Sequence, residues 1–320
     1  MSTLRRSSSS YGGFADGVII RGVPLLTLYP GNVYWVDSNG GGGSRGTFTN
    51  PVATLLEAHA LVTDNNGDII VIKPGHAESP TATVAYTASG FAIIGLGFGD
   101  NRPTFTNATA AGANDFIFTF SGDDVVVYNI KWAEAASTGT AVTAFQVDGD
   151  NFHIENCYIE MGEKTTRFLD HLTTGKQGLS VINNTIVGTA AGPDVGICIK
   201  KTHLYANISG NKWLLAQSAG IDTGCVIFVS GTTKAGSHII DGDIVVGMAD
   251  TIPYLTQTDV QDNSLCMNLR VMGVDATDNV GASPASGFGF IDCYATQMGA
   301  TVPGIYDHAG SRPAVVTPAL

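Results

Sequence analysis

Apolar residues along this chain recur in a repeating pattern. Seven segments show alternate apolar positions, then an Asn or Asp, then alternation again: VVVYNIKW (125–132), FHIENCYIE (152–160), LSVINNTIVG (179–188), ANISGNKWLL (206–215), HIIDGDIVVG (238–247), SLCMNLRVMG (264–273) and FGFIDCYAT (288–296). The polar residue is Asn129, Asn156, Asn184, Asn211, Asp243, Asn268 and Asp292, at steps of 27, 28, 27, 32, 25 and 24 residues. Alternation with a period of two marks strands. An Asn or Asp between two short strands suits a tight bend, because its side chain bonds nearby backbone and it tolerates left-handed dihedrals. Recurrence at a near-constant period means that each unit covers its neighbour and none buries its apolar face alone. The pattern therefore predicts an all-β chain, a right-handed single-stranded parallel β-helix with one coil per repeat and the seven polar residues stacked as a ladder along one edge. A β-sandwich is the alternative; it asks for turn signals every roughly 8–12 residues and gives no reason for matched sequence at the longer period.

The segments ahead of the repeat read differently. Residues 1–33 lack strong periodicity and are expected to form an extended arm: Ser and Gly dominate to Gly17, and the apolar stretch VIIRGVPLLTLYPGN follows. Such a stretch is a liability in open water, so it is expected to lie on something; a free leader feeding one strand is the other reading. Residues 34–66 read as a strand, a Gly-rich loop and a capping helix. Asn50 serves as N-cap, Pro51 as first helical residue, and Leu55, Leu56, His59 and Val62 share one face over 52–62. A helix laid over the open end of a β-helix covers edge groups that would otherwise recruit another chain. Residues 67–300 are assigned to the β-helix, with two further coils drawn from FAIIGLGFG and DFIFTF that bend at Gly95 or Gly97. Segments 134–141, 187–196, 248–262 and 275–287 read as loops of varying length, and residues 301–320 as an extended tail.

These segments resemble the coils of the pectate-lyase-like β-helix superfamily, which includes polysaccharide lyases, pectinases and many phage virion proteins. The order VDS, Gly-rich loop, NPVATL helix and GDIIVIKPGH over residues 34–78 is similar to the start of β-helix proteins among the structural genes of tailed phages. Pectinase-like enzymes share this opening, so the resemblance implies architecture more firmly than role.

Composition narrows the role. Only 14% of the 320 residues are charged, 44% are hydrophobic and 40 are Gly, against roughly 25% charged in an average soluble chain. So little charge predicts that much of the side is covered by copies of the chain or by a partner. The net charge of −12 argues against nucleic acid, which needs clustered Lys and Arg. No apolar run reaches the roughly 20 residues of a membrane span. The opening MSTLRRSSSSYGGFADG carries two arginines with no apolar run behind them, unlike a secretory signal. Cys157, Cys198, Cys225, Cys266 and Cys293 track the coil period and form no CxxC, which fits buried thiols in a reducing cytosol.

Catalytic signals are sparse. The resemblance implies that an enzyme on this fold would cleave polysaccharide, with carboxylates or a basic residue and bound calcium displayed on one strand face, and a hydrolase needs two carboxylates about 5–10 Å apart. Asp123 and Asp124 precede one strand, Asp148 and Asp150 hold the equivalent place one coil later, and Glu155 and Glu160 lie nearby; the Gly-Asp pairs equally suit bend caps. No nucleotide loop, HExxH or GxSxG is present. Ser209–Lys212 spans a bend, His76 reads as a structural histidine, and Trp132 and Trp213 read as packing. No metal or cofactor is called for.

The resemblance and composition together imply a virion structural protein: a trimeric capsid decoration or cement subunit, made in the host cytoplasm and seated on the capsid surface. Its expected partners are the major capsid protein and itself, without nucleic acid or membrane. Arg5, Arg6, Tyr11, Phe14 and Arg21 of the arm are the candidate contacts. The alternative is a tail-associated spike that binds or cleaves host glycan.

Overall fold

The computed structural model describes residues 31–40 and 45–297 except 81–82, 107–114, 134–141, 163–164, 172, 174, 189–194, 201–203, 216–223, 230–234, 249–253, 258–260, 263, 274–280 and 283–287. It also describes the short strands Ile19–Ile20, Val23–Pro24 and Ile305–Asp307. The chain is a right-handed parallel β-helix. A first sheet of ten strands runs from Val33–Val36 to Phe288–Ile291, a second of ten from Ala77–Glu78 to Ile305–Asp307, and a third of eight from Val84–Tyr86 to Gly281–Ala282. Each strand pairs in parallel with its equivalent one coil on, as in Val127↔Ile154, Ile154↔Val181 and Val181↔Ile208. The last strand of the second sheet runs antiparallel, Tyr294↔Asp307, across the final coil.

Alternation explains the interior. Val127, Ile154, Val181, Ile208 and Ile240 point in from the first sheet, Phe105, Trp132, Ile159, Ile186, Trp213 and Val245 from the second, and all are buried. Aromatic rings fill the N-terminal half along the third sheet, Tyr86 stacking on Phe120 at 4.8 Å and Phe145 meeting Phe168 edge-on at 5.9 Å. All five cysteines are buried and none is in a disulfide. Burial pushes the Cys157 thiol up to about 12, which keeps it protonated and unreactive.

The third sheet was not legible. It runs through segments read as loops: Leu255–Gln257 lies within 248–262, Gly281–Ala282 within 275–287, and Val195 opens Val195–Lys200. Residues 92–120 make one coil instead of two, because Ala92–Gly95, Thr104–Thr106 and Asp115–Phe120 each join a different sheet. The helix is shorter than expected, Leu55–His59, with Thr54 as N-cap and Glu57 closing a capping box; Leu55 and Ala58 are buried, while Leu56 faces water.

The bend between the first and second sheets takes two residues, and its polar residues form two columns where one was expected. The first position is left-handed and holds Asn129 (φ 57), Asn156 (φ 56), Asn183 (φ 54), Gly210 (φ 65), Gly242 (φ 69), Asn268 (φ 54) and Asp292 (φ 52). Asn184, Asn211 and Asp243 occupy the second position, which points into the core and has no exposed surface. The 28-residue step into Asn184 and the 25-residue step out of Asp243 are this one-residue slip. Within the buried column each side chain serves the coil before it: Cys157 N donates to Asn184 Oδ1 (2.8 Å), Asn184 N to Asn211 Oδ1 (3.0 Å) and Asn211 N to Asp243 Oδ1 (2.8 Å). Asn184 Nδ2 and Asn211 Nδ2 donate in turn to the carbonyls of Ile154 and Val181.

The two columns respond differently to substitution. Asn211→Ala strands the Asn184 N–H and the Val181 carbonyl in the dry interior, at a cost on the order of 3 kcal/mol. Asn183→Gly stays within about 1 kcal/mol of the parent, because glycine already takes that place in the next two coils. Chemical denaturation of the two variants checks this; equal losses overturn the two-column assignment.

Candidate functional site

Among the described residues the acidic corner between the third and first sheets is where the structure gathers the sequence-predicted acids. Asp123 and Asp150 lie on neighbouring coils, as the spacing implied. Asp150 N donates to Asp123 Oδ1 (2.7 Å), and Gln177 N donates to Asp150 Oδ1 (2.9 Å). Lys176 Nζ sits between the two carboxylates, 3.6 Å from Asp123 and 3.7 Å from Asp150. Asp148 accepts from Thr173 Oγ1 (2.5 Å) and Gln146 Nε2 (3.0 Å), and Asp124, itself left-handed at φ 57, accepts from Asn151 Nδ2 (2.9 Å). Each carboxylate is tied to the frame. The coils approach so closely here that a methyl on Gly149 would overlap the Gly122 carbonyl oxygen, and one on Gly122 the Ala88 carbonyl oxygen. The other two acids are held as well, Glu155 by His153 (3.2 Å) and Glu160 by Lys131 (3.0 Å). These groups fasten a corner; the bend-cap reading accounts for their bonds.

His76 has a structural place too. Its buried ring accepts from Ser38 N at Nδ1 (3.0 Å) and meets Glu78 Oε2 at Nε2 (3.2 Å), and the same Glu78 oxygen accepts from Leu55 N (2.9 Å). That chain ties the capping helix to the first coil. Trp132 and Trp213 are buried and donate to Thr165 Oγ1 (3.1 Å) and Asp243 Oδ2 (3.0 Å). Among the described residues no cluster of His, Cys, Asp and Glu has metal-ligand geometry. The arm candidates Arg5, Arg6, Tyr11, Phe14 and Arg21 lie outside the described residues.

Sequence reasoning missed an outward row on the second sheet. Val187, Leu214, Val246 and Met272 stand in register on four successive coils. Leu214 is 45% exposed, and Ile244, two residues before Val246 on the same strand, is exposed as well; across the bend, Ile239 and Ile291 of the first sheet are also exposed. Next to it run cation–aromatic pairs, Lys131 over Tyr158 at 5.3 Å and Arg270 over Tyr294 at 4.6 Å. The signal was present in KWLL and DIVVG, where the outward position of the alternation is as apolar as the inward one.

No protein-family model and no curated protein sequence matches this chain. Among solved structures it is similar to a rhamnogalacturonan lyase, at 14% identity and a TM-score of 0.39 over 87% of this chain and 79% of that one. It is also similar to a GH136 lacto-N-biosidase from Eubacterium ramulus, at 10% identity and a TM-score of 0.41 over 83% and 68%. Both likenesses are too loose to assign chemistry, and the fold stands on its strand pairing.

The most perturbed carboxylate is a core residue. Burial pushes Asp243 up to about 6, although Trp213, Tyr254 and Asn211 all donate to it. Its folded value lies above the unfolded one of 3.8, so its contribution to stability is fully present at low pH and fades as pH rises from about 4 through about 6. We expect a loss of roughly 3 kcal/mol across that window, a flatter profile in Asp243→Asn, and a window moved upward in Tyr254→Phe, which removes a donor. Denaturation midpoints at pH 4, 5, 6 and 7 read all three; parallel profiles for parent and Asp243→Asn overturn the assignment.

Proposed function

We propose that this chain is a structural protein of a tailed-phage virion, a homotrimeric decoration or cement subunit that stands on the capsid surface and braces the major capsid protein. The observation that carries the reading is the in-register apolar row Val187, Leu214, Val246 and Met272 on the outer face of the second sheet. Four coils at about 4.8 Å spacing make a straight apolar stripe about 14 Å long. Parallel copies related by a rotation axis present the same stripe at the same height, so each covers its neighbour's. The low charge of the chain, 14% of residues, fits a side meant to be covered.

On this reading the mechanism is mechanical. The β-helix is a stiff spacer of strands paired coil to coil, and the N-terminal arm brings Arg5, Arg6, Tyr11 and Phe14 to the seams between capsid subunits. Three arms on one trimer multiply weak contacts through effective concentration. The acids at the corner serve the frame, and the polysaccharide-binding spike remains as the second reading through Asp123, Asp150 and Lys176.

Three measurements test this. Leu214→Glu with Val246→Glu places carboxylates in the stripe, and sedimentation is expected to show the trimer falling to monomer with the coil fold kept by circular dichroism; an unchanged mass overturns the interface. Virions stripped of the protein are expected to lose resistance to heat and osmotic shock and to regain it on adding the protein back. Cleavage of host surface glycan by the purified chain, abolished by Asp150→Asn, would instead establish the spike.

A further inference from the structure

The first sheet carries a second apolar core on its outer face. Val33, Trp35, Ile69, Val71, Ala92 and Ile94 point away from the coil interior, at the alternate positions to Val36, Ile70, Ile72 and Ile93. Outward positions elsewhere on this sheet are polar or half-exposed, as in His153, Glu155, Ser180 and Asn207. Yet Ile69, Val71 and Ala92 have no exposed surface, and the other three have at most 6%. Neighbours on one sheet face stand side by side and shield each other's flanks, while closing the tips takes a second layer about 10 Å above the sheet. Among the described residues Leu96, Val126 and Tyr128 border the patch in the plane of the sheet, and Phe48 meets the Trp35 ring edge-on at 5.0 Å. None of these forms a layer over Ile69, Val71 and Ala92.

We propose that the leader segment Val18–Tyr29 is a strap that docks in cis on this outer face and seals the first three coils. Three observations support that occupant. Its chain is delivered to the right place: Gly31 N donates to Gly67 O (3.2 Å) and Asn32 N to Asp68 Oδ1 (2.6 Å), which fixes residue 31 at the lip of the first strand, Val33–Val36. Its composition matches, since VIIRGVPLLTLY has one charge in twelve residues and the face has none. Its ribbon also fits, because Ile19–Ile20 and Val23–Pro24 pair antiparallel as a hairpin, two strands wide against a face three strands wide. Residues 1–17, with Arg5, Arg6, Tyr11 and Phe14, then remain free to reach a partner, while Arg21 stays with the hairpin.

Hydrogen exchange on the purified full-length chain, with no capsid present, tests the strap independently of any virion role. Peptides covering 18–29 are expected to exchange at least about tenfold more slowly than those covering 1–17, at both high and low protein concentration. Leu26→Asp with Leu28→Asp leaves the solenoid sequence untouched; it is expected to abolish that protection and to speed exchange in Ile69–Ile72, with the coils beyond Val126 unchanged. Val71→Asp is expected to release the leader in the same way. Free exchange of 18–29 in the folded parent, or unchanged exchange in the leader variant, overturns the proposal. So does protection that vanishes on dilution, since the cover then comes from another copy.

Discussion

Everything in this molecule depends on how a coil turns a corner inside a dry core. Along the sheets, backbone amides find partners in the next coil automatically. At a bend the chain leaves the ladder, and an N–H aimed inward has no strand to meet. In the central coils that group is satisfied by a side chain one turn on: Asn184, Asn211 and Asp243 each accept the buried amide of the preceding coil. The side-chain amide suits this position because it both accepts from a backbone amide and donates to a carbonyl of the preceding coil. Where the column is apolar, as at Ile130, Cys157 and Leu269, the position packs as ordinary core.

The column ends in Asp243, whose second oxygen accepts from Trp213 Nε1 and the Tyr254 hydroxyl at 3.0 and 2.7 Å. Three neutral residues thus converge on one buried carboxyl, and burial still wins over their hydrogen bonds in setting its proton affinity. The acidic corner solves a related problem at the surface, where Asp123 and Asp150 accept the backbone amides of the following coil and share a lysine. In both places a carboxylate, read in the sequence as a bend residue at Asp243 and as candidate chemistry at Asp123 and Asp150, accepts from backbone that needs an acceptor.

Because the interior is closed by rule, choice is left to the outward positions. On the first sheet of the first three coils those positions are apolar and covered; along the second sheet, Val187, Leu214, Val246 and Met272 make an apolar row in which Leu214 is exposed and the other three are half-buried. The two stripes lie on different coils and on different sheets. Function in such a solenoid resides in which outward residues break the expected polar pattern, as the inward ones are fixed by packing.

The period, the strand alternation and the parallel winding were all legible in the sequence, because each coil faces the same physical problem and answers it with similar residues. The short cap helix was legible by its apolar face, though its start was not: Thr54 with Glu57 makes a better cap than Asn50, and the capping box decides. The slip between Asn183 and Asn184 was not legible, since asparagine suits both a left-handed bend and a buried amide ladder, and INNTI offers both. Nor was the third sheet, whose strands follow loops of unequal length and so keep no fixed register with the repeat. Local pattern fixes which residues alternate and where a chain must bend; which neighbour each bend residue meets is set by stacking one coil on another, and only the folded molecule brings positions some 27 residues apart into contact.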